Sequence, residues 1–108
     1  MELNILRADP AGNITVFVLD PVEKAQRAAI AEKIMAIPAL KAEQVGYACA
    51  AEDDVDGHME MMGGEFCGNA TRAYAMYVAR QRGGLSEVRL RVSGFEHIVT
   101  AAVDLARG

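Results

Sequence analysis

Residues 73–79, AYAMYVA, limit the possible folds more than any other stretch of this sequence. They belong to a predicted helix that begins near Cys67 and ends at Gly83 and Gly84, because glycine commonly follows the last helical turn. The stretch carries no charge on any face, and a helix that is apolar all round has to be buried. It is much shorter than the roughly 20 residues of a membrane-spanning helix. The sequence therefore predicts an α+β fold, with a mixed or antiparallel sheet curled around a central buried helix.

Strand-forming patterns on both sides of this helix supply the sheet. A further helix is predicted to begin at Asp20, whose side chain is a suitable N-cap ahead of Pro21, and to run to about Ala36. We find no linker and no repeat, so residues 1–108 are interpreted as one domain. Strands rich in β-branched or alternating apolar residues are predicted at 2–8, 14–19, 43–50, 58–62, 86–92 and 96–105, with a turn at DPAGN between the first two.

Composition and charge exclude several classes of protein. The net charge of -4 argues against a nucleic-acid-binding surface, which would be basic. No apolar run is long enough to span a bilayer, and the first residues do not resemble a signal peptide. Two cysteines, Cys49 and Cys67, are too few for a disulfide framework or a four-cysteine zinc site. The sequence therefore predicts a protein of the reducing cytoplasm, with no nucleic-acid or membrane partner.

The acidic loop EDDVDG partly fits a calcium-binding pattern. Glu52, Asp54, Asp56 and Gly57 occupy its first four diagnostic positions, but Gly63 stands where a bidentate Glu is required. The flanking stretches also read as strands rather than helices. The loop is therefore interpreted as a solvated hairpin turn, and no metal site is predicted.

The segment GGEFCGNATR, residues 63–72, places a cysteine at the start of the apolar helix. A helix N-terminus carries partial positive charge and unpaired N–H groups, which favour a thiolate at Cys67. The N–H groups of Gly68, Asn69 and Ala70 form a cradle for an anion such as a carboxylate, and Gly68 lets a ligand approach the backbone. A base beside a carboxylate clamp suits removal of a proton from the carbon next to a carboxylate.

The two cysteines also allow other interpretations. A cysteine near a helix start is more often a small buried hydrophobe. A thioredoxin-like site needs a C-x-x-C, and a cysteine protease needs a partner histidine, whereas His58 and His97 have no recognised spacing. A phosphate-binding loop would need Lys and Ser or Thr in place of Asn69 and Ala70. Cys49 alternates with Val45, Tyr47 and Ala51, which predicts a core position.

Three stretches resemble the diaminopimelate epimerase superfamily of cofactor-independent amino-acid racemases and epimerases. EFCGNATR is similar to the catalytic-cysteine motif, and PAGNITVFVLD and EQVGY resemble two earlier family segments in the same order. The resemblance covers roughly residues 8–105. Within the superfamily, the stretches most resemble the histidine-racemase branch of staphylopine-type metallophore synthesis. The enzyme of lysine and peptidoglycan synthesis, diaminopimelate epimerase, is the alternative.

The resemblance implies a fold and a mechanism. Members have two similar domains, each a sheet curled around a central helix. One cysteine thiolate removes the α-proton, and a second cysteine donates a proton from the opposite face, without pyridoxal phosphate or metal. Matched to this chain, the implied catalytic base is Cys67, the α-carboxylate ligands are Gly68 and Asn69, and the residues lining the amino-acid pocket are Asn13, Glu43 and Gln44.

The second domain and its cysteine have no counterpart in these 108 residues. The chain is therefore interpreted as the N-terminal half of such an enzyme, and on its own it is predicted to be a very poor racemase. An isologous dimer that sets one Cys67 against the other would supply the second acid. An apolar patch of Phe66, Met59, Met61 and Met62 is expected to drive association. The other class of function is a non-catalytic folded fragment that self-associates.

Overall fold

The computed structural model describes residues 3–9 and 14–103, and these form six strands and two helices. The predicted turn at DPAGN falls outside the described residues, apart from Asp9. In chain order the elements are β1 (Ile5–Ala8), β2 (Thr15–Val18), α1 (Lys24–Met35), β3 (Gln44–Cys49), β4 (Gly57–Met61), α2 (Gly68–Gln81), β5 (Glu87–Val92) and β6 (Val99–Ala102).

The strands form one sheet in the order β1-β2-β3-β4-β5-β6. The pairs β2–β3 and β4–β5 are parallel, and the other three pairs are antiparallel. A helix connects each parallel pair, since parallel neighbours need a crossover rather than a hairpin. The predicted α+β class with a mixed sheet is confirmed. Within the described residues the sheet does not close, and β1 and β6 are its edges.

The two helices cover opposite faces of the sheet, because successive side chains of β2 point to opposite sides. Val16 and Val18 belong to the hydrophobic cluster that contains Ile34 of α1. Phe17, between them, belongs to the cluster built on α2, and its ring lies 5.4 Å from that of Tyr74. Strand β2 is therefore buried from both sides and links the two cores.

Helix α2 is less completely buried than its composition predicts. Tyr74 and Val78 are buried, but Ala73, Met76 and Tyr77 are only half-buried. These three line a groove of about 590 Å³ between α2 and β1. The expectation of burial on every face is wrong because the open sheet leaves this side of the helix uncovered. In the described part of the chain, neither helix is long and apolar enough to cross a membrane.

Asp20 does not cap α1, contrary to the prediction. The helix begins at Lys24, and its N-cap residue, Glu23, makes no side-chain capping hydrogen bond. The Asp20 carboxylate instead accepts hydrogen bonds from the backbone N–H of Asn4 at 2.6 Å and from the Asn4 side-chain amide at 3.2 Å. The carboxylate therefore ties the segment before β1 to the end of β2.

The acidic loop between β3 and β4 is hydrogen-bonded to β5. Asp54 pairs with Arg91 at 2.6 Å, and Asp56 accepts a hydrogen bond from the backbone N–H of Arg89 at 2.8 Å. The hydrogen bond from Arg91 is the largest of the effects that lower the pKa of Asp54. β3 and β4 pair antiparallel, which fits the hairpin interpretation. Over residues 3–9 and 14–103, no cluster of His, Cys, Asp and Glu could hold a metal ion.

Candidate active site around Cys67

Cys67 is the N-cap of α2 and has an extended backbone. Its Sγ accepts a hydrogen bond from the Ala70 N–H at 3.5 Å. Its carbonyl oxygen accepts two more from Thr71, from the backbone N–H at 2.9 Å and from the hydroxyl at 2.8 Å. The side chain is half-buried and packs against the α2 core. The helix start therefore holds both the backbone and the sulfur of this residue.

A second donor reaches the sulfur from the end of the sheet at which β2 and β3 begin. The Nε2 of Gln44 lies 3.2 Å from Cys67 Sγ and 2.8 Å from Thr15 Oγ1. Thr15 is fully buried and is the register partner of Gln44. The family resemblance implies a substrate-pocket role for Gln44, and no motif in the sequence singled out Thr15. The available signal was a single hydroxyl side chain within an otherwise apolar predicted strand.

The backbone around Gln44 is fixed to β2. The N–H groups of Glu43 and Gln44 both donate to the Ile14 carbonyl, at 2.9 Å and 3.3 Å. The Glu43 residue directly precedes β3 and is exposed. Asn13, the other predicted pocket residue, lies outside the described residues. The structure thus brings Gln44 to Cys67 and leaves the Glu43 residue accessible to solvent beside them.

The first turn of α2 offers an open, positively charged surface. A Cβ added at Gly68 would meet only the Arg72 guanidinium at 3.7 Å and the Phe66 ring at 4.0 Å, both ordinary contacts. Arg72 reaches back over this turn and donates from Nη2 to Asn69 Oδ1. The turn contains no acidic residue. The guanidinium and the unpaired N–H groups of a helix start therefore favour an anion at the same place.

The loop before Cys67 rests on the turn after β5. The Ser93 hydroxyl donates to the Glu65 carbonyl at 2.6 Å and accepts from the Met61 N–H at 2.8 Å. Gly94 has φ +77°, and a Cβ there would lie 2.3 Å from the Phe66 nitrogen. The close approach of two backbone segments therefore requires glycine at this position and sets the path of the chain into Cys67.

An exposed aromatic pair stands beside the cysteine. The rings of Phe66 and Phe95 lie 5.7 Å apart, and both residues are 47% exposed. Met62 is also exposed, whereas Met59 and Met61 are buried. The prediction that these two methionines join the exposed patch is wrong, because alternation along β4 turns both towards α2. The imidazole of His97, in the loop before β6, lies edge-on to the Phe95 ring.

Cys49 lies in a half-buried polar cluster rather than in the predicted core position. Its Sγ is 3.7 Å from Arg27 Nη2, and Arg27 pairs with Glu60 at 2.5 Å. His58 lies 3.5 Å from the second Glu60 oxygen. Burial, followed by the charge of Glu60, raises the pKa of the Cys49 thiol, although Arg27 acts in the opposite direction. The last residue of β3 thus lies among charged side chains, while Tyr47 remains in the core.

Comparison with known proteins finds histidine racemases. The family model of the histidine racemase CntK N-terminal domain matches residues 2–107. A histidine racemase of Fusobacterium nucleatum subsp. nucleatum is 43% identical over 79 residues, which are 71% of this chain and 27% of that protein. A histidine racemase of Staphylococcus aureus is 34% identical over 100 residues, 88% of this chain and 36% of that protein. The predicted likeness to the histidine-racemase branch is confirmed. The aligned stretches span about a third of the length of these relatives.

Proposed function

This chain belongs to the family of histidine racemase N-terminal domains, and from that premise we propose that it is the N-terminal catalytic domain of an amino-acid racemase with Cys67 as a base. One observation carries the proposal. The Cys67 sulfur receives two N–H donors, from Ala70 at 3.5 Å and Gln44 at 3.2 Å, at the positive end of α2. Hydrogen bonds to the charged form of a group and a helix N-terminus both favour the thiolate, the form that accepts a proton.

In the proposed reaction, the Cys67 thiolate takes the α-proton of a bound amino acid and becomes a thiol. The electron pair left on Cα delocalises into the adjacent carboxylate. A second thiol, on the opposite face, then gives its proton to Cα and becomes a thiolate, which completes the inversion. The substrate loses one proton and gains one, so the step balances. In this proposed two-base cycle the carboxylate itself takes up the electron pair, and neither pyridoxal phosphate nor a metal is invoked.

The substrate α-carboxylate is proposed to lie on the first turn of α2. The N–H groups of Gly68 and Asn69 would hold it, and the guanidinium of Arg72 stands over the same turn. These donors bind the carboxylate in the ground state and more strongly as charge develops on it in the transition state. Glu43, with Asn13, would line the pocket for the rest of the amino acid.

We propose histidine as the substrate, because the relatives that match this chain are named histidine racemases. The alternative is diaminopimelate, the substrate implied by the wider superfamily. Both carry the α-carboxylate and α-ammonium groups that the first turn of α2 and its surroundings would bind. The two differ in the side chain, so a comparison of substrates decides between them.

The second acid is proposed to come from another domain or from a second copy of this chain. A lone domain would leave the opposite face of the substrate in water, which weakens electrostatic stabilisation. We therefore expect the isolated 108 residues to be a very poor racemase. Pairing of two copies about a twofold axis would set two Cys67 thiols on opposite faces. A reducing compartment such as the cytoplasm would keep both thiols free.

Exchange of the α-proton in D₂O tests the proposal. The chain is incubated at high concentration with L-histidine, diaminopimelate and other amino acids, and loss of the Cα–H signal is followed by NMR. Exchange that disappears in Cys67→Ser and persists in Cys49→Ser is the expected result. Exchange that survives Cys67→Ser would contradict the role of Cys67. The preferred substrate in the panel decides between histidine and diaminopimelate.

A non-catalytic fragment that self-associates is the second candidate. The exposed ring pair of Phe66 and Phe95 favours it, since exposed apolar patches commonly mark interaction surfaces. The two candidates differ in their response to dilution. A dimeric racemase loses specific activity as it dissociates, whereas a fragment without catalytic function shows association but no exchange at any concentration.

A further inference from the structure

The buried polar side chains of the described residues are hydrogen-bonded to Cys67, directly or through one other side chain. In residues 3–9 and 14–103 they are Thr15 and Thr71. The Thr71 hydroxyl donates to the Cys67 carbonyl at 2.8 Å. Thr15 is joined through Gln44 to the Cys67 sulfur. Burying a hydroxyl is unfavourable unless it is hydrogen-bonded. Each buried threonine therefore needs its hydrogen-bond partner in a fixed position.

The donor capacity of Gln44 is used entirely within the protein. A primary amide nitrogen carries two hydrogens. Nε2 of Gln44 has two acceptors, Thr15 Oγ1 at 2.8 Å and Cys67 Sγ at 3.2 Å. No hydrogen on this nitrogen is left for a substrate carboxylate, and only the amide oxygen remains for a substrate ammonium group. The amide nitrogen of Gln44 therefore donates to the sulfur and not to the substrate.

The position of this amide is fixed by the sheet. The Gln44 N–H donates to the Ile14 carbonyl at 3.3 Å, and Thr15 and Gln44 are register partners on parallel strands. Thr15 is fully buried, so its hydroxyl cannot turn to solvent. A buried acceptor on one side and the sulfur on the other allow one orientation of the amide plane.

We propose that Gln44 and Thr15 are positioning residues for Cys67: Thr15 aims the Gln44 amide, and the amide stabilises the thiolate. This inference rests on the proposed function of Cys67 as a base. Gln44 then has a role different from the substrate-pocket role that the sequence implies. The buried Thr15 hydroxyl also takes part in the reaction, although it acts on the sulfur only through the Gln44 amide.

The pH dependence of thiol alkylation tests the inference without any substrate. Cys49→Ser is introduced throughout, so that iodoacetamide reports Cys67 alone, and adduct formation in the 108-residue chain is followed by mass spectrometry. Gln44→Met keeps the length of the side chain and removes both N–H groups. The midpoint of the pH profile should rise by about one pH unit, the size expected for one lost hydrogen bond to a charged group.

Thr15 has its own pair of variants. Thr15→Val keeps the shape and removes the acceptor, and it should move the midpoint in the same direction by a smaller amount. Thr15→Ser keeps the hydroxyl and should restore the original midpoint. Thr100→Val, at an exposed site on β6, is the matched control and should leave the midpoint unchanged. Circular dichroism checks that each variant is folded, and if Thr15→Val does not fold, Gln44→Met still decides.

Each outcome separates the inference from the proposed function. An unchanged midpoint in Gln44→Met overturns the positioning role, even if α-proton exchange depends on Cys67. Equal shifts in Thr15→Ser and Thr15→Val overturn the role of the Thr15 hydroxyl and indicate packing instead. If the midpoints shift but no α-proton exchange is detected, the positioning role is supported and only the proposed reaction is contradicted.

Discussion

The side-chain amide nitrogen of Gln44 lies 3.2 Å from the sulfur of Cys67, although 23 positions separate the two residues in the sequence. The contact exists because β3 and β4 are antiparallel, so the start of β3 and the loop that leads from β4 into α2 lie at the same end of the sheet. Helix α2 alone supplies one backbone donor to the sulfur, and the sheet supplies the second. The environment of the candidate base is therefore a product of two elements that only the sheet brings together.

Arg72 is predicted to help bind the substrate carboxylate. Arg72→Gln keeps a hydrogen-bonding side chain but removes the charge over the first turn of α2. We expect KM to rise about tenfold with a smaller change in kcat, as for loss of one charge-assisted contact. The measurement is α-proton exchange against substrate concentration. Arg80→Gln, in the last turn of the same helix, is the control, and equal effects of the two substitutions would contradict a specific role for Arg72.

Cys49 is predicted to react slowly with thiol reagents in the folded chain. Burial and the charge of Glu60 raise the pKa of its thiol, so less of it is thiolate at neutral pH. In Cys67→Ser, where Cys49 is the remaining cysteine, iodoacetamide should react more slowly with the folded chain than with the urea-unfolded chain. Mass spectrometry over time measures both rates. Equal rates in the two states would show that the environment of Cys49 does not protect it.

The Arg27–Glu60 ion pair is predicted to stabilise the fold in a pH-dependent way. The hydrogen bond from Arg27 is the largest of the effects that lower the pKa of Glu60 below 4.5. A carboxylate whose pKa is lower in the folded state than in the unfolded state stabilises the folded state above the unfolded pKa. This contribution is lost as the pH falls through the folded pKa. Glu60→Gln should therefore reduce the free energy of unfolding by about 1 kcal/mol at neutral pH.

Urea unfolding at several pH values measures this effect. The difference in the free energy of unfolding between Glu60→Gln and the original chain should shrink as the pH is lowered below about 4, the usual range of a glutamate pKa. Glu32→Gln, an exposed position on α1, is the control and should change stability little at any of these pH values. A difference that stays constant from neutral to acidic pH would indicate packing rather than charge.

Gly94 is predicted to be essential for the path of the chain into the site. Gly94→Ala places a Cβ against the backbone of Phe66, at 2.3 Å from its nitrogen. Gly83 has a similar positive φ, +86° against +77°, but an added Cβ there meets nothing within 4 Å. Gly83→Ala should cost about 1–2 kcal/mol from backbone strain alone, and Gly94→Ala should cost clearly more. Thermal unfolding compares them, and similar losses would show that the loop moves freely.

The aromatic pair beside Cys67 is predicted to form the contact through which copies of the chain associate. Phe95→Ser should weaken self-association about tenfold or more, because buried aromatic residues dominate interface energetics. Sedimentation velocity over a dilution series measures the change. Ile37→Ser is the control, since Ile37 is 44% exposed, close to the 47% of Phe95, but follows α1. A monomeric original chain, or equal effects of both substitutions, would contradict the prediction.

Local sequence patterns predicted the elements of this fold well. Alternation along EVRLRV correctly turned Val88, Leu90 and Val92 inward. Cys67 marked the start of α2, and Gly83 and Gly84 marked its end. These signals depend on residues close in the chain, through side-chain periodicity and terminal hydrogen bonds, so they survive without knowledge of the sheet order.

Predictions that depended on distant neighbours failed. Asp20 has the chemistry of an N-cap, but Asn4 competes for its carboxylate. Cys49 continues an apolar alternation, but Arg27 and Glu60 come to it from α1 and β4. Residues 73–79 of α2 are apolar on every face, but one side of this stretch faces a groove. In the first two cases the deciding partner lies elsewhere in the chain, and in the third the described sheet leaves one side of the helix uncovered.

The sequence by itself determined the α+β class, the cysteine at a helix start and the family resemblance. These are written in periodicity, in turn and cap residues, and in short motifs. Only the tertiary structure decided that Gln44 and the buried Thr15 lie against Cys67, that Cys49 joins an ion-pair cluster, and which methionines are covered. The physical reason is that hydrogen bonds and burial act over a few ångströms in space, whereas sequence patterns record proximity along the chain, and sheet pairing is what converts one into the other.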